Sequence, residues 1–220
     1  MAQTRQIRKG KSGQRSHRSG ESGANGLRTP DKRRRILDAA IEVIAERGFH
    51  SSRVADIAER AGVADGTVYL YFKSKEQILM AALDGAFERF YQRAKEELAP
   101  LSNAPAKLRA LARLHLRLLN QHRSLAVVLQ TELRQSAKFL AEFSHRELKG
   151  YFDLIREIIR EGQQAGTIRS GMSDKIAAAC LFGSLDELVT SWVLSNREYD
   201  LAAAADPVID LLLSGMEARP

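Results

Sequence analysis

The sequence predicts an all-α protein of about nine helices, and three observations predict it. Beyond Thr29, large apolar side chains recur at intervals of three and four along almost all of the 220 residues, the spacing that lays them on one face of a helix. Strand-like alternation of apolar and polar residues is missing, as is an Asn-Gly hairpin signal. The interruptions coincide with Gly, Pro and clusters of Ser, Asn and Asp, which stop or cap helices. A hydrophobic content of 44% is enough to bury a core.

Residues 1–29 stand apart. They are Gly, Ser, Arg, Lys and Gln with almost no large apolar side chains, too few to offset the entropy of ordering, so a flexible arm is expected. The first helix begins near Pro30-Asp31, capped by Thr29 or Asp31, and runs to Arg47 with Ile36, Leu37, Ala40, Ile41 and Ile44 on one face; Gly48 ends it. Ser52 can cap a short second helix through Val54, Ile57 and Ala58, which stops at Ala61-Gly62. The third runs from Asp65 to Phe72. Ser74, with Gln77 three residues on, makes a capping box for a fourth, Lys75 to about Leu98. Further helical runs are expected over 104–121, 123–135, 137–164, 173–195 and 201–214, with Pro207 kinking the last or, alternatively, beginning it with Asp206 as cap.

Two short helices joined by a tight glycine-containing turn and backed by a longer first helix have the layout of a helix-turn-helix. The charge agrees with that layout. The chain carries +7 in all, of which residues 1–30 contribute +6, with seven basic side chains against Glu21 alone, and residues 31–75 a further +2. A basic front on a neutral body points to a polyanion, and to nucleic acid ahead of a membrane surface. Cys180 is the single cysteine; it cannot form an internal disulfide, and its apolar run Ile176–Phe182 suggests a buried thiol. No uncharged apolar stretch reaches the roughly 18 residues of a membrane span, and the N-terminus is too charged for a secretory signal, so a cytoplasmic protein without a membrane partner is expected.

In the third helix Val68 and Phe72 should face inward, with Thr67 and Tyr71 facing out. Gly66 permits close approach of backbone to a phosphate, Asp65 can accept from a cytosine amino group and Thr67 can touch a thymine methyl. Tyr69, Tyr71, Lys73 and Lys75 suit phosphate contacts. The segment Gly66-Thr-Val-Tyr-Leu-Tyr-Phe-Lys-Ser-Lys75, within Arg33 to about Leu83, resembles the recognition-helix signature of the TetR family of bacterial regulators. That resemblance implies DNA contacts by Thr67, Tyr69, Tyr71 and Lys75. It also puts one phosphate contact near the second helix in question, because Ala55 stands where many members have a polar group; Ser52 or Arg53 can substitute. Ala64 replaces a common Ser cap, and Asp65 can cap instead.

Behind the helix-turn-helix, Glu97 to Glu132 encloses no acidic residue, and Arg109, Arg113 and Arg117 recur every four positions on one helix face. Such a stripe either pairs with acids of neighbouring helices, with Glu88, Glu96, Asp153 and Glu157 as possible partners, or forms an anion site with Arg134. Apolar side chains suited to a cavity lie nearby, Leu129, Phe143, Phe152 and Ile155 among them. The segments Glu132–Ser136, Lys149–Phe152 and Leu181–Val193 are similar to the FadR-type branch of the family, whose members respond to long-chain acyl-CoA and govern fatty-acid degradation. The resemblance covers roughly residues 30–215. It implies a repressor released by a hydrophobic, anionic effector, with no other cofactor; the alternatives are a repressor sensing another lipophilic molecule, or an acyl-CoA-binding module without a DNA function.

Leu185, Leu188, Val189, Trp192 and Leu211 offer an apolar surface that either caps the monomer core or pairs a homodimer, which a half-site reader needs in order to place two helices about 34 Å apart on double-stranded DNA. The expected organisation is therefore an arm (1–29), a DNA-binding unit (30–75) and an effector-binding and dimerisation unit (76–220). Enzymatic and metal chemistry find no support: the five histidines lack ligand spacing, and no nucleophile elbow or phosphate loop is present.

Overall fold

A computed structural model describes residues 29–135, 147–195 and 199–216. The elements are α1 (Thr29–Arg47), α2 (Val54–Ala61), α3 (Asp65–Tyr71), α4 (Lys75–Leu98), α5 (Ala104–Gln121) and α6 (Arg123–Val127, prolonged by a π turn Val128–Glu132 and a last turn Leu133–Gln135). They continue with α7 (Lys149–Gln164), α8 (Asp174–Leu194) and α9 (Ala205–Met216, entered through a 3-10 turn Leu201–Ala204). No strand forms among the described residues. The basic arm and Phe143 lie outside them.

Helix ends follow local chemistry. Gly48 (φ 78°) and Gly62 (φ 64°) adopt the left-handed conformation that closes α1 and α2. The Ser74 hydroxyl accepts the Gln77 amide at 3.2 Å while the Gln77 carbonyl accepts from the Lys73 amide at 2.6 Å, fixing the entry to α4. Three expectations need correction. The cap of α2 is Arg53, not Ser52, and Asp56 accepts its amide at 2.8 Å. Asp65 does not cap α3, whose cap position is Ala64 with no side-chain bond. Pro207 does not kink a long helix; it falls in the first turn of α9, where a missing N–H costs little.

Three apolar clusters organise the chain. One joins α1, α2 and α3 through Ile36, Ala40, Ile57, Val68 and Phe72, and the first turns of α4 complete it with Ile78 and Ala82. A bridging cluster packs Ile44 and Phe49 with Leu79 and Leu83 of α4 and with Val128 and Leu133 of α6. The third fills the body with Leu108, Leu111, Tyr151, Ile155, Leu181, Leu185, Val189, Trp192 and Ile209. α4 thus belongs to both halves, and α6 packs against the end of α1.

By length and composition α8 is apolar enough to cross a membrane, with a mean hydropathy of 1.4, yet only 33% of that window is buried. One face, carrying Ala177, Ala178, Leu181, Leu185, Val189 and Trp192, lies in the body core. Leu185, Val189 and Trp192 are therefore core residues of one chain and not the free dimer surface expected of them. Cys180, expected inside, is exposed on the other face, as is Ile176. Leu188 is half-buried, and Leu211 of α9 is 72% exposed.

Candidate nucleic-acid interface and effector body

α1 and α2 are clamped by charge-assisted bonds. Arg60 reaches Glu46 at 2.7 Å and Glu42 at 3.0 Å, Arg47 reaches Asp56 at 2.8 Å, and the Arg35 guanidinium donates to the carbonyls of Ala61 and Gly62. The hydrogen bond from Arg60 holds the Glu46 carboxyl below the usual carboxylate range. This frame presents α3. Val68 is fully buried and Phe72 nearly so, as expected. The outward row is Gly66, Tyr69 and Leu70, with Lys73 just beyond the end of the helix, all exposed. Thr67 and Tyr71, expected on that row, are half-buried, because the Tyr71 ring leans on the α1–α3 cluster beside Phe72. Asp65 and Arg53 are exposed at the starts of their helices.

Two residues expected at phosphates are turned inward. Ser52 is 2% exposed, and its hydroxyl donates to the Phe49 carbonyl at 2.9 Å. The Lys75 ammonium donates to the carbonyls of Phe49, His50 (3.4 Å) and Ser52 (2.7 Å) and sits 4.4 Å from the centre of the Phe49 ring. With the donors of that ammonium spent on backbone oxygens, Lys75 acts as a bolt across the α1–α2 corner.

The same corner is held from the body. The Glu132 carboxylate, at the end of the π turn in α6, accepts the Phe49 amide at 2.6 Å. The π turn places an extra residue in the helix and so aims Glu132 back at α1. Sequence inspection did not single out Glu132 for this role, because its partner is a backbone amide 83 positions away.

In the body, the arginine stripe is satisfied by acids. Arg113 grips Asp206 with two bonds of 2.6 and 2.9 Å, Arg109 reaches Asp210 at 2.5 Å, and Arg117 reaches Glu97 at 2.5 Å. The hydrogen bond from Arg113 holds the Asp206 carboxyl below its ordinary value. Arg109, Arg113 and Arg117 therefore take the structural role that the sequence offered as the alternative to an anion site, with Asp206 and Asp210 of α9 and Glu97 of α4 as partners in place of Glu88, Glu96, Asp153 and Glu157. Arg134 pairs with Asp186, which also accepts from Gln130 at 2.9 Å.

Of the apolar cavity candidates, Ile155 is fully buried in the core, whereas Leu129 and Phe152 are half-buried, Phe152 with its ring 5.0 Å from that of Phe182. Phe90, Tyr151 and Phe182 surround His115, whose Nδ1 lies 3.0 Å from the Tyr151 hydroxyl. Burial pushes His115 down to about 4, Asp186 opposing weakly, and pushes the Tyr151 hydroxyl up. A groove of about 550 Å³ runs beside this cluster between α4, α5 and α7, lined by Tyr91, Leu98, Leu154 and Ile158 with Lys107 and Asp153 at its rim. No group of side chains able to hold a metal ion occurs among the described residues.

Comparison with known proteins agrees with this geometry. Residues 36–82 match the model for bacterial regulatory proteins of the tetR family, and residues 84–215 that for the C-terminal region of YsiA-like proteins. The fatty acid metabolism regulator protein of Bacillus subtilis (strain 168) is 43% identical over 184 residues, covering 84% of this chain and 95% of the relative. The fatty acid degradation regulator FadR of Bacillus halodurans superposes with a TM-score of 0.80 at 40% identity, over 86% of this chain and 97% of that one. The transcriptional regulator FadR of Bacillus subtilis, solved in complex with stearoyl-CoA, gives 0.78 at 44% identity, over 82% and 97%. With its helix-turn-helix and its helical body both accounted for, this chain belongs to the TetR family of DNA-binding bacterial regulators and carries a YsiA-like C-terminal region.

Proposed function

We propose that the protein is a homodimeric, cytoplasmic repressor of fatty-acid metabolism genes that leaves its operator when a long-chain acyl-CoA occupies the helical body. The observation that carries this reading is the triple hold on Phe49: its amide on Glu132 of α6, its carbonyl on Lys75 and Ser52, its ring under the Lys75 ammonium. Motion of α6 is thereby delivered to the corner that carries α2 and α3. An effector binding the non-DNA arrangement more tightly shifts the population by its differential affinity. Two relatives at 40% identity or more, from Bacillus subtilis and Bacillus halodurans, are named for fatty-acid regulation, and the Bacillus subtilis FadR was solved with stearoyl-CoA.

Residues 30–75 serve as the DNA-reading unit and 76–220 as the sensing and pairing unit, sharing α4. Arg53, Asp65, Gly66, Thr67, Tyr69, Tyr71 and Lys73 supply the DNA contacts. Arg134, two residues beyond Glu132, is the cation best placed to exchange Asp186 for an effector anion, with Leu129 and Phe152 against the apolar tail. The exposed face of α8 pairs with its copy, with Leu188 and Leu211 at the seam, since an apolar helix only one-third buried calls for a cover.

The test is a titration of duplex selected from a randomised pool, at two salt concentrations and with palmitoyl-CoA or free palmitate. Sequence-preferring binding with a steep salt slope, relieved by palmitoyl-CoA and poorly by palmitate, is expected. Binding without sequence preference would refute the regulator; equal potency of palmitate would refute the CoA requirement.

A further inference from the structure

The most exposed large apolar side chain on the DNA-facing side is Leu70, at 82%. It is the penultimate residue of α3, one turn after Gly66 on the outward row, beside Tyr69 at 58% and shortly before Lys73. Its neighbours have evident partners in a polyanion: the Tyr69 hydroxyl and the Lys73 ammonium can each bond a phosphate. Leucine can do neither. Helix propensity does not explain it, since Ala, Lys, Gln or Glu would serve as well in an exposed turn, and inward packing is ruled out by its exposure. Apolar surface on the outward face of a helix bound for the major groove finds one apolar complement there, the C5-methyl group of thymine.

We infer that Leu70 is a specificity-determining residue that reads the C5-methyl of one thymine in each half-site. This rests on the DNA-binding reading above and adds a base identity to it. Thr67, the other candidate for that methyl, is half-buried and lies a turn nearer the start of α3, whereas Leu70 is the most exposed large apolar side chain of the helix.

The experiment uses the full chain and the duplex selected from a randomised pool. Each thymine is replaced in turn by deoxyuridine, which removes only the methyl, and binding is measured for the unmodified protein and for Leu70→Ala. The unmodified protein should lose about fourfold in affinity at one thymine per half-site, the worth of one buried methyl. Leu70→Ala should bind the intact duplex more weakly and be indifferent to that replacement, while responding like the unmodified protein to every other change. Because Leu70 is exposed, an unchanged melting temperature will show that the variant is folded. Insensitivity of the unmodified protein to every deoxyuridine, or equal sensitivity in Leu70→Ala, overturns the assignment while leaving the regulator intact. A pool that yields no preferred duplex overturns the regulator reading and this inference with it.

Discussion

The carboxylate of Glu132, in the body, accepts the backbone amide of Phe49, at the end of the first helix, at 2.6 Å. It is a charge-assisted bond to a main-chain atom, so substitutions at Phe49 other than proline leave the donor in place and Glu132 is the residue to vary. Glu132→Ala should lower stability by about 1.5–3 kcal/mol. It should also shrink the ratio of duplex affinities measured without and with palmitoyl-CoA. Glu132→Gln, which keeps an accepting oxygen, should restore part of both. An effector response of undiminished size in Glu132→Ala would place the coupling elsewhere.

Lys73 and Lys75, two residues apart, should separate cleanly. Lys73 is exposed and is assigned to a phosphate: Lys73→Ala should leave thermal stability unchanged and reduce the salt slope of duplex binding by about one. Lys75→Ala removes the bolt from the carbonyls of Phe49, His50 and Ser52. It should cost roughly 2 kcal/mol of stability and leave the salt slope of the folded fraction as it was. The reverse pattern would return Lys75 to the interface.

The order of helices, most of their ends and the inward face of α3 were legible in the sequence because they depend on near neighbours: Gly48 and Gly62 on their own backbone freedom, Ser74 on Gln77, Val68 on Phe72. What was not legible depends on distant or intermolecular partners. Ser52 has the right side chain for a cap but sits one residue before the true cap, Arg53; its hydroxyl turns to Phe49, and Asp56 holds the Arg53 amide. The arginine stripe gave two readings that spacing could not separate, since Asp206 and Asp210 arrive from the far end of the chain. Along α8, apolar residues occur all around the helix, so periodicity could not tell that Leu185, Val189 and Trp192 serve the chain's own core while Cys180 faces out.

The proposed dimer seam yields a third prediction. Leu211, 72% exposed, is assigned to the seam between two copies. Leu211→Glu would bury a carboxylate against its symmetry mate, and it should convert the dimer to monomer in sedimentation velocity while the helical circular dichroism stays the same. Duplex affinity should fall with it. A variant that sediments like the unmodified protein would exclude Leu211 from the seam.

The fourth concerns His115, pushed down to about 4 by burial. Its folded-state value lies below the ordinary value of 6.5, so the unfolded chain takes up the proton first. The stability it permits is complete above pH 6.5 and drains away as pH falls toward 4, by about 1.4 kcal/mol per unit at most. His115→Leu combined with Tyr151→Phe removes the titrating group without stranding the hydroxyl, and should flatten that part of the profile of melting temperature against pH. An unaltered slope would assign the acid sensitivity to other groups.

The account turns on one chain in which effector and duplex compete through α6 and the Phe49 corner. Reciprocity makes that measurable from the effector side: whatever factor palmitoyl-CoA takes from duplex affinity, saturating duplex must take from palmitoyl-CoA affinity. Calorimetric titration of palmitoyl-CoA into the free protein and into its duplex complex should give markedly weaker binding in the second. Equal affinities in the two titrations would contradict the account.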